Sequence, residues 1–350
     1  MKPGCSESSI RNAGDSPDSH ALTSGPAAIP AGTNGNLTSG NRARTPPGTT
    51  MIRVDGLHKR FGQTVAVDDV SLRVEAGETF GLLGPNGAGK STTLQLMMGI
   101  LTPDRGSVTF AEDRNPRELT TRHKLGFAPQ QLSLYEALTG WENLRFFSRM
   151  YGLYGEQQQR QMNWALEMTG LLDRAKDPVK TYSGGMKRRL NLALAVVHDP
   201  PLILLDEPTV GVDPQSRHHL FENIEQLQDK GRTIVYTTHY MDAAQRLCDR
   251  IAIIDQGRVL ALDTVDALVT RYGGRSQVSV ELVEAAPTPT VLPESLSVRQ
   301  CGHSLQWETE TPLAELELLS AAAISVRNVE ITRPNLETVF LNLTGRKLRD

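Results

Sequence analysis

The chain has 350 residues, enough for two domains with a sizeable hydrophobic core. Its 37 basic and 40 acidic residues give a net charge of −3 with no long run of either sign, which argues against a nucleic-acid surface or a polybasic membrane anchor. The three cysteines lie far apart, and no apolar run reaches the roughly 18–20 residues needed to span a bilayer. We therefore expect a cytoplasmic chain in a reducing compartment, which would need another polypeptide to provide any path across a membrane.

Residues 1–50 contain no aromatic residue and are dominated by Gly, Ser, Pro, Thr and Asn. Such a segment cannot bury enough apolar area to offset its ordering entropy, so it is predicted to be disordered. Met51 follows directly and opens a predicted strand. Two interpretations stay open: the natural start is Met51 and the first 50 residues are an extension of the gene model, or the tail is real and unstructured.

Strand and helix patterns alternate through the next 200 residues. Strands are predicted at 51–54, 65–67, 70–74, 78–83, 108–110, 125–128, 202–205, 233–237 and 251–254, and helices at 92–100, 141–172, 183–197, 214–228 and 241–248. The first three strands suit a short antiparallel arrangement, and the later alternation favours an α/β fold with a mainly parallel sheet. A linker is predicted at 272–275. Beyond it, strand-like segments at 278–282 and 325–329, two short helices and three interrupting prolines (Pro287, Pro289 and Pro293) predict a small α+β appendix of about 70 residues.

A glycine-rich segment lies between the predicted strand at 78–83 and the helix that follows it. Its residues are Gly84, Pro85, Asn86, Gly87, Ala88, Gly89, Lys90, Ser91 and Thr92. They fit G-x-x-x-x-G-K-[ST], in which glycines let backbone N–H groups turn towards phosphate oxygens. Lys90 brings a positive charge to the outer phosphates, and the Ser91 hydroxyl is placed to coordinate Mg²⁺. The N-terminus of the following helix also favours an anion, so the segment predicts a nucleotide-phosphate site.

An apolar strand at 202–205 ends in two carboxylates, Asp206 and Glu207. The end of such a strand delivers Asp206 to the sheet edge beside the phosphate loop, where it is predicted to hold Mg²⁺ through water. Glu207 is predicted to point at the γ-phosphate as the base that orients the attacking water. Alone, an acidic pair would more often begin an ordinary loop, and the upstream phosphate loop is what favours catalysis.

Ser183, Gly184 and Gly185 open the predicted helix at 183–197 and form a second N-terminus that suits an anion. In isolation this segment is equally an ordinary helix cap. One ATP γ-phosphate cannot easily be held by two separate helix termini of one small domain. We therefore expect a dimer in which this segment covers the nucleotide of the partner.

Three smaller signals accompany these motifs. Gln130 ends a predicted strand and is a candidate reporter on Mg²⁺, whereas His239 follows the strand at 233–237 within reach of a γ-phosphate. Phe61 lies in a loop and is a candidate for stacking on a purine ring. Each signal is weak alone, and only their order around the phosphate loop gives them weight.

Together, these motifs resemble an ATP-binding-cassette (ABC) ATPase. The ordered set GPNGAGKST, PQ, SGG, LILLDEP, the loop at 211–214 and Thr238-His239 falls within residues 51–271, and it is specific because six motifs occur in one order. The resemblance implies a P-loop NTPase ABC domain with a mainly parallel core sheet, an antiparallel β subdomain and a helical subdomain. It also implies ATP and Mg²⁺ as cofactors, and a head-to-tail dimer of two copies that closes on two ATP molecules and drives a permease.

The resemblance also implies a role for each motif position. These roles are adenine stacking for Phe61, phosphate binding for Gly84 to Thr92, metal sensing and signalling to the permease for Gln130, Mg²⁺ binding for Asp206, general-base catalysis for Glu207, and γ-phosphate sensing for His239. Across the dimer, Ser183, Gly184 and Gly185 would act on the partner's nucleotide, and Asp213 would belong to a loop at the dimer interface.

Two positions depart from the family's usual Leu-Ser-Gly-Gly-Gln signature, namely Tyr182 and Met186. The serine and glycines that contact phosphate are retained, so the chemistry is unaffected. Residues 186–190 resemble the subfamily that pairs with drug, lipid, polysaccharide or sodium export permeases, and residues 335–345 are similar to the C-terminal end of that subfamily. The resemblance therefore implies the ATPase subunit of an exporter, peripheral on the inner face of the cell membrane through a separate permease that binds the transported substrate.

Two rival functions remain open on the sequence. An ABC importer subunit is disfavoured only by the two subfamily segments. A non-transport ABC ATPase is disfavoured because only 93 residues without sustained heptads separate Lys90 from Ser183, and because the chain has one cassette. The expected organisation is a disordered tail at 1–50, an ABC ATP-binding domain at 51–271 and a small accessory domain at 276–345.

Overall fold

In the computed structural model of the chain, the residues described are 49–111, 114–283, 292, 297–322 and 324–346. The predicted tail at 1–50 therefore lies outside the described residues except for its last two positions. Thr50 is already the first residue of a strand, and the carbonyl of Thr49 accepts a hydrogen bond from the amide of Ala76 at 2.8 Å. The first strand thus begins one residue before Met51, which corrects the predicted boundary.

Strands and helices alternate through residues 49–272. The strands are β1 (Thr50–Phe61), β2 (Thr64–Glu75), β3 (Thr79–Leu83), β4 (Arg105–Phe110), β5 (Leu125–Ala128), β6 (Leu202–Asp206), β7 (Thr233–Thr238), β8 (Arg250–Asp255) and β9 (Arg258–Asp263). The helices are α1 (Lys90–Met97), α2 (Leu119–Arg122), α3 (Gly140–Met150), α4 (Gly155–Met168), α5 (Gly184–Val196), α6 (Pro214–Asp229), α7 (Met241–Leu247) and α8 (Val265–Tyr272).

The central sheet has the strand order β5-β6-β7-β3-β8-β9. All neighbouring pairs are parallel except β8 with β9, so the prediction of a mainly parallel sheet is confirmed. Every residue of β3, β6 and β7 is buried, as expected for strands covered on both faces. Because parallel strands end at the same edge, the segments that follow β3, β6 and β7 are brought together there.

A second sheet is antiparallel, with the order β2-β1-β4. Where the sequence predicts several short strands, the structure has one long hairpin of β1 and β2 whose register shifts at several points. Asp69 lies inside β2 with a φ of 58°, in the left-handed region, and marks such an irregularity. The break in the hydrophobic pattern around this residue is therefore a bulge and not the end of a strand.

The predicted helix at 141–172 is two helices, α3 and α4, followed by a 3₁₀ turn at Leu172–Arg174. Thr139 and Glu142 form a reciprocal capping box that starts α3. Gly152 and Gly155 have φ values of 78° and 57°, and this left-handed backbone ends one helix and starts the next. Apolar periodicity continues through the turn, which is why the sequence pattern does not reveal the break.

The C-terminal region contains β10 (Ser276–Leu282), β11 (Arg299–Cys301), β12 (Ser304–Thr309), α9 (Pro312–Ala321), β13 (Val326–Thr332) and α10 (Leu336–Thr344). Its strands form an antiparallel sheet in the order β11-β12-β10-β13, with a separate small core that includes Val280 and Trp307. The predicted strands and two helices are confirmed, whereas the three interrupting prolines lie outside the described residues. The division into an ABC domain and an accessory domain stays a prediction.

Helix α10 packs differently from the rest of the C-terminal region. Its buried residues Leu336, Val339 and Phe340 join the main hydrophobic core, beside α7 and α8. The side-chain amide of Asn342 donates to the carbonyl of Tyr272 at 2.8 Å. Helix α10 therefore contributes to the core that lies against β3, β6 and β7, although it follows the C-terminal sheet in sequence.

Candidate functional site

The phosphate loop occupies residues 84–89, between the end of β3 and the start of α1. A Cβ at Gly84 would lie 2.1 Å from the carbonyl oxygen of Ile254, and one at Gly89 would lie 2.3 Å from that of Ala66. Gly89 also has a φ of 100°, which side chains rarely adopt. These two glycines are thus required by close backbone approach. The helix begins at Lys90, two residues earlier than predicted.

Lys90 is buried and its ammonium points back across the loop. Nζ donates to the carbonyl oxygens of Gly84 at 2.8 Å and Pro85 at 3.0 Å, and it lies 2.8 Å from Oε1 of Glu207. The side chains of Lys90 and Glu207 are each only 4% exposed. The structure therefore brings together the predicted phosphate-binding lysine and the predicted base as a desolvated ion pair.

Glu207 follows β6 and is held on its other side by His239. The two carboxylate oxygens of Glu207 have different partners: Oε1 faces Lys90, and Oε2 lies 2.8 Å from Nδ1 of His239. The backbone of Glu207 has a φ of 46°, in the left-handed region that a glutamate adopts only at a cost of about 1–2 kcal/mol. This strain is stored beside the predicted base and turns its side chain from the strand towards Lys90.

Asp206, the last residue of β6, contacts the other predicted metal ligand. Oδ1 of Asp206 accepts hydrogen bonds from the hydroxyls of Ser91 at 2.9 Å and Thr237 at 2.7 Å. Burial raises the pKa of Asp206, and these two hydrogen bonds oppose the rise. Thr237 also accepts a hydrogen bond from the Glu207 amide at 2.9 Å, so one hydroxyl fixes both carboxylate residues.

The segment that starts α5 lies apart from this network. Ser183 is the N-cap of α5, and its hydroxyl accepts from the amide of Met186 at 3.2 Å. Ser183 and Gly184 are exposed, whereas Gly185 is buried against Ser216. Among the described residues, no hydrogen bond or ion pair joins Ser183 to the Lys90 network, so this segment presents its N-terminus to the outside of its own chain.

Asp213 caps the neighbouring helix α6. Its carboxylate accepts from the amide of Ser216 at 2.9 Å, and Pro214 occupies the first turn. Hydrogen bonding to Ser216 lowers the pKa of Asp213. The predicted interface residue is therefore a helix cap in this chain, placed next to the start of α5.

The remaining two predicted residues are exposed. Phe61, predicted to lie in a loop, is instead the last residue of β1. Its surface is 48% accessible, and the Lys59 ammonium lies 5.6 Å from its ring centroid. Gln130 follows β5, and its side chain is exposed while its backbone carbonyl is held by Arg188. Neither contacts Lys90 or Glu207 directly within the described chain, so their roles stay predictions.

Two residues of the site were missed by sequence reasoning. Thr237 was assigned only to a strand, although a hydroxyl at the end of a strand that adjoins β6 is a signal for such a role. Arg188 lies within the segment 186–190, which was used only as a subfamily marker. Its guanidinium reaches backbone carbonyls beside the site, a position that only the packing of α5 reveals.

Several known proteins are similar to this chain. A family model described as ABC transporter matches residues 67–210. The linearmycin resistance ATP-binding protein of Bacillus subtilis is 41% identical over 312 residues, which cover 86% of this chain and 100% of that protein. The Nod factor export ATP-binding protein I of Ralstonia nicotianae is 38% identical over 320 residues, with coverage of 88% and 100%.

Solved structures show the same fold. The ATP-binding subunit of an ABC transporter aligns with a TM-score of 0.58 at 33% identity, covering 64% of this chain and 94% of that one. A dimeric ATP-binding cassette in a post-hydrolysis state, bound to ADP and Pi, aligns with a TM-score of 0.55 at 29% identity, with coverage of 61% and 98%.

Proposed function

The chain belongs to the ATP-binding subunits of ABC transporters, and on that premise we propose that it hydrolyses ATP to power export by a separate membrane permease. One observation carries the proposal: Lys90, Glu207 and His239 form a buried network where the phosphate loop meets the end of β6. The two relatives described above are named for resistance and for export, and each matches more than four fifths of this chain. Their names favour an exporter over an importer.

The contacts of Lys90 define how the chain's residues carry the reaction. When a nucleotide enters the loop, the ammonium of Lys90, which pairs with Glu207 at 2.8 Å, pairs instead with the outer phosphates. Glu207 is then released to accept a proton from the attacking water. His239 keeps its hydrogen bond to Oε2 of Glu207, and Thr237 holds the backbone of Glu207, so the base stays oriented during the exchange.

The residues beside the loop fit Mg²⁺. Ser91 Oγ and Asp206 Oδ1 lie 2.9 Å apart and are oxygen donors, the ligand type that this hard cation prefers. No group of three or more His, Cys, Asp or Glu that could hold a metal occurs in the described part of the chain, so nucleotide phosphates would complete the coordination. Ser91, and Asp206 through water, would hold Mg²⁺, which would neutralise charge on the phosphates, and Gln130 is a candidate sensor of the metal.

The position of Ser183 supports a dimer of two copies in head-to-tail arrangement. Ser183 and Gly184 are exposed at the start of α5, and within the described part of their own chain they form no hydrogen bond with the Lys90 network. A helix N-terminus with unhindered N–H groups is suited to a phosphate. We therefore assign Ser183, Gly184 and Gly185 to the partner's nucleotide, with Asp213 beside them at the interface.

The permease is assigned to a different chain. No helix of the described residues is long and apolar enough to cross a bilayer. An exposed aromatic cluster, in which the rings of Tyr135 and Phe146 pack edge to face 5.2 Å apart, offers apolar surface to a partner. Attachment through the permease would place the subunit at the inner face of the cell membrane.

Mixing two inactive variants tests the reaction and the dimer together. Lys90→Ala removes the charge that binds phosphate, and Ser183→Arg blocks closure over the partner's nucleotide. Each homodimer has two damaged sites, whereas a mixed dimer has both lesions in one site and none in the other. The mixture should therefore recover part of the wild-type ATP hydrolysis, which neither parent shows, with a maximum near equal amounts.

A titration of wild-type protein with the double variant is the reciprocal control. If Ser183 serves the partner, every mixed dimer then has one lesion per site, and an excess of the double variant should suppress hydrolysis towards zero. If Ser183 serves its own chain, the wild-type half of each mixed dimer keeps an intact site. Persistent activity in the titration, with none in the mixture of single variants, would contradict the head-to-tail dimer.

A further inference from the structure

Arg188 lies in the second turn of α5, and its guanidinium joins two loops that approach the nucleotide site. Nη1 donates to the carbonyl of Gln130 at 2.5 Å, and Nη2 donates to the carbonyl of Val210 at 3.2 Å. One planar group with several donors in fixed directions can hold two acceptors on different segments at once. Arg188 is therefore a link between the loop after β5 and the loop after β6.

Both loops carry residues of the site. The first contains Gln130 itself. The second begins at Glu207, and the amide of Val210 donates to the carbonyl of Glu207 at 3.3 Å, which closes the turn between them. A displacement of the Val210 carbonyl therefore also moves the backbone of Glu207 through this one short turn. The backbone of Glu207 is already strained, with a φ of 46°.

The charge of Arg188 also faces the site. Burial lowers the pKa of this guanidinium, and the nearby carboxylates of Asp206 and Glu207 oppose the change. The adjacent cations on the helix point elsewhere: Lys187 pairs with Glu136 at 2.6 Å, and Arg189 donates to the turn that closes α4. Successive residues of a helix differ in direction by about 100°, so only Arg188 of these three reaches the two loops.

We propose that Arg188 is a positioning residue that couples the two nucleotide sites of the dimer. The inference rests on the proposed function, in which Ser183 contacts the partner's nucleotide. Ser183 caps α5 and Arg188 lies five residues along the same helix, so both move with one rigid element. Closure of α5 over one nucleotide thereby sets the positions of Gln130 and Glu207 around the other nucleotide.

Arg188→Gln tests this coupling because it removes both the charge and the fork of donors. ADP lacks the γ-phosphate, so its affinity reports on the phosphate loop of a single chain and should stay within twofold of wild type. The kcat for ATP should fall at least tenfold, which corresponds to about 1.4 kcal/mol. In a Glu207→Gln background, at least ten times more ATP should be needed to form the dimer in size-exclusion chromatography.

Two variants separate positioning from general damage. Arg188→Lys keeps the charge but can hold only one carbonyl well, so it should recover part of the kcat. Lys187→Gln removes the same charge from the neighbouring position and should leave kcat within twofold of wild type. If Arg188→Gln fails to fold, Arg188→Lys decides alone: a kcat at least threefold below wild type with unchanged ADP affinity supports the inference.

Three results would overturn the inference. They are a kcat within twofold of wild type in Arg188→Gln, an equal loss in Lys187→Gln, and a fall in ADP affinity that matches the fall in kcat. Wild-type protein is measured alongside. Absence of hydrolysis and of ATP-driven dimers in the wild type would refute the proposed function itself, whereas the three results above leave that function intact.

Discussion

The buried pair of Lys90 and Glu207 makes a quantitative prediction about the nucleotide-free protein. Lys90→Met removes the ammonium and leaves Glu207, which is 4% exposed, without its ion-pair partner and with a hydrogen bond to His239. Breaking a buried ion pair by removal of one partner costs about 3–5 kcal/mol because the other charge stays desolvated. Glu207→Gln should cost less, about 1 kcal/mol, because the ammonium keeps the carbonyl oxygens of Gly84 and Pro85 and gains the amide oxygen as acceptors.

The double variant should be more stable than the sum of its parts. Once Gln occupies position 207, Met at position 90 no longer leaves a buried carboxylate without its cation, so about half of the penalty of Lys90→Met is removed. We expect a coupling energy of about 2 kcal/mol between the two positions. With an unfolding entropy near 2.1 cal/mol/K per residue, Lys90→Met should lower the Tm by about 5 °C and the double variant by about 4 °C, against about 7 °C for additive effects.

Thermal unfolding of the four proteins without nucleotide measures this cycle. Full-length chains are compared at one pH and one salt concentration, so that only the two positions differ. Saturating ADP serves as a control. Because phosphate then replaces Glu207 as the partner of the Lys90 ammonium, the coupling energy between the two positions should become smaller. The free-energy changes of the two single variants could instead add up to that of the double variant, within about 0.5 kcal/mol. That result would show that the ion pair does not stabilise the nucleotide-free protein.

Three further predictions follow from particular contacts. Glu207→Gln frees Lys90 from its carboxylate, so calorimetry should show ATP bound at least as tightly as in wild type while hydrolysis becomes very slow. Gly84→Ala should destabilise the chain by about 2–4 kcal/mol, because its Cβ meets a backbone oxygen at 2.1 Å, whereas Gly87→Ala, with open space but a φ of 82°, should cost only about 1 kcal/mol in thermal melts. Burial lowers the pKa of His198 to about 4, so the unfolded state takes up the proton first as the pH falls from 6.5 towards 4. The free energy of unfolding of wild type should therefore fall by up to about 3 kcal/mol over this range, and that of His198→Gln should not show this loss.

The phosphate site could be predicted from the sequence because its parts lie at strand ends. The motifs at 84–92, 206–207 and 238–239 each follow a buried apolar strand, and parallel strands release their chains at one edge of the sheet. Local spacing therefore predicted which side chains would meet. The contacts within the network could not be predicted from the sequence, because the pairing of Lys90 with Glu207 depends on the left-handed backbone at position 207.

Other features depend on packing that leaves little local signal. Strand β9 alternates only weakly between buried and exposed residues at the edge of the sheet, so no period distinguishes it from a loop. The break between α3 and α4 is hidden by apolar residues that continue through the turn. Arg188 was missed for a similar reason: nothing in a run of three cations shows which of them faces the site.

The Lys90–Glu207 pair also determines, in the proposed mechanism, whether Glu207 is available as a base when no nucleotide is bound. Both side chains are already desolvated before a nucleotide arrives, so phosphate binding exchanges one buried partner of Lys90 for another and spends little energy on removing water. In the proposed mechanism, the same exchange frees Glu207, whose charge is balanced by Lys90 until a nucleotide binds. Glu207 is not left mobile, because His239 and Thr237 hold its carboxylate and its backbone from the side of β7. In the proposed mechanism, hydrolysis therefore requires an occupied phosphate loop, because only the phosphates release Glu207 from Lys90 within the buried network.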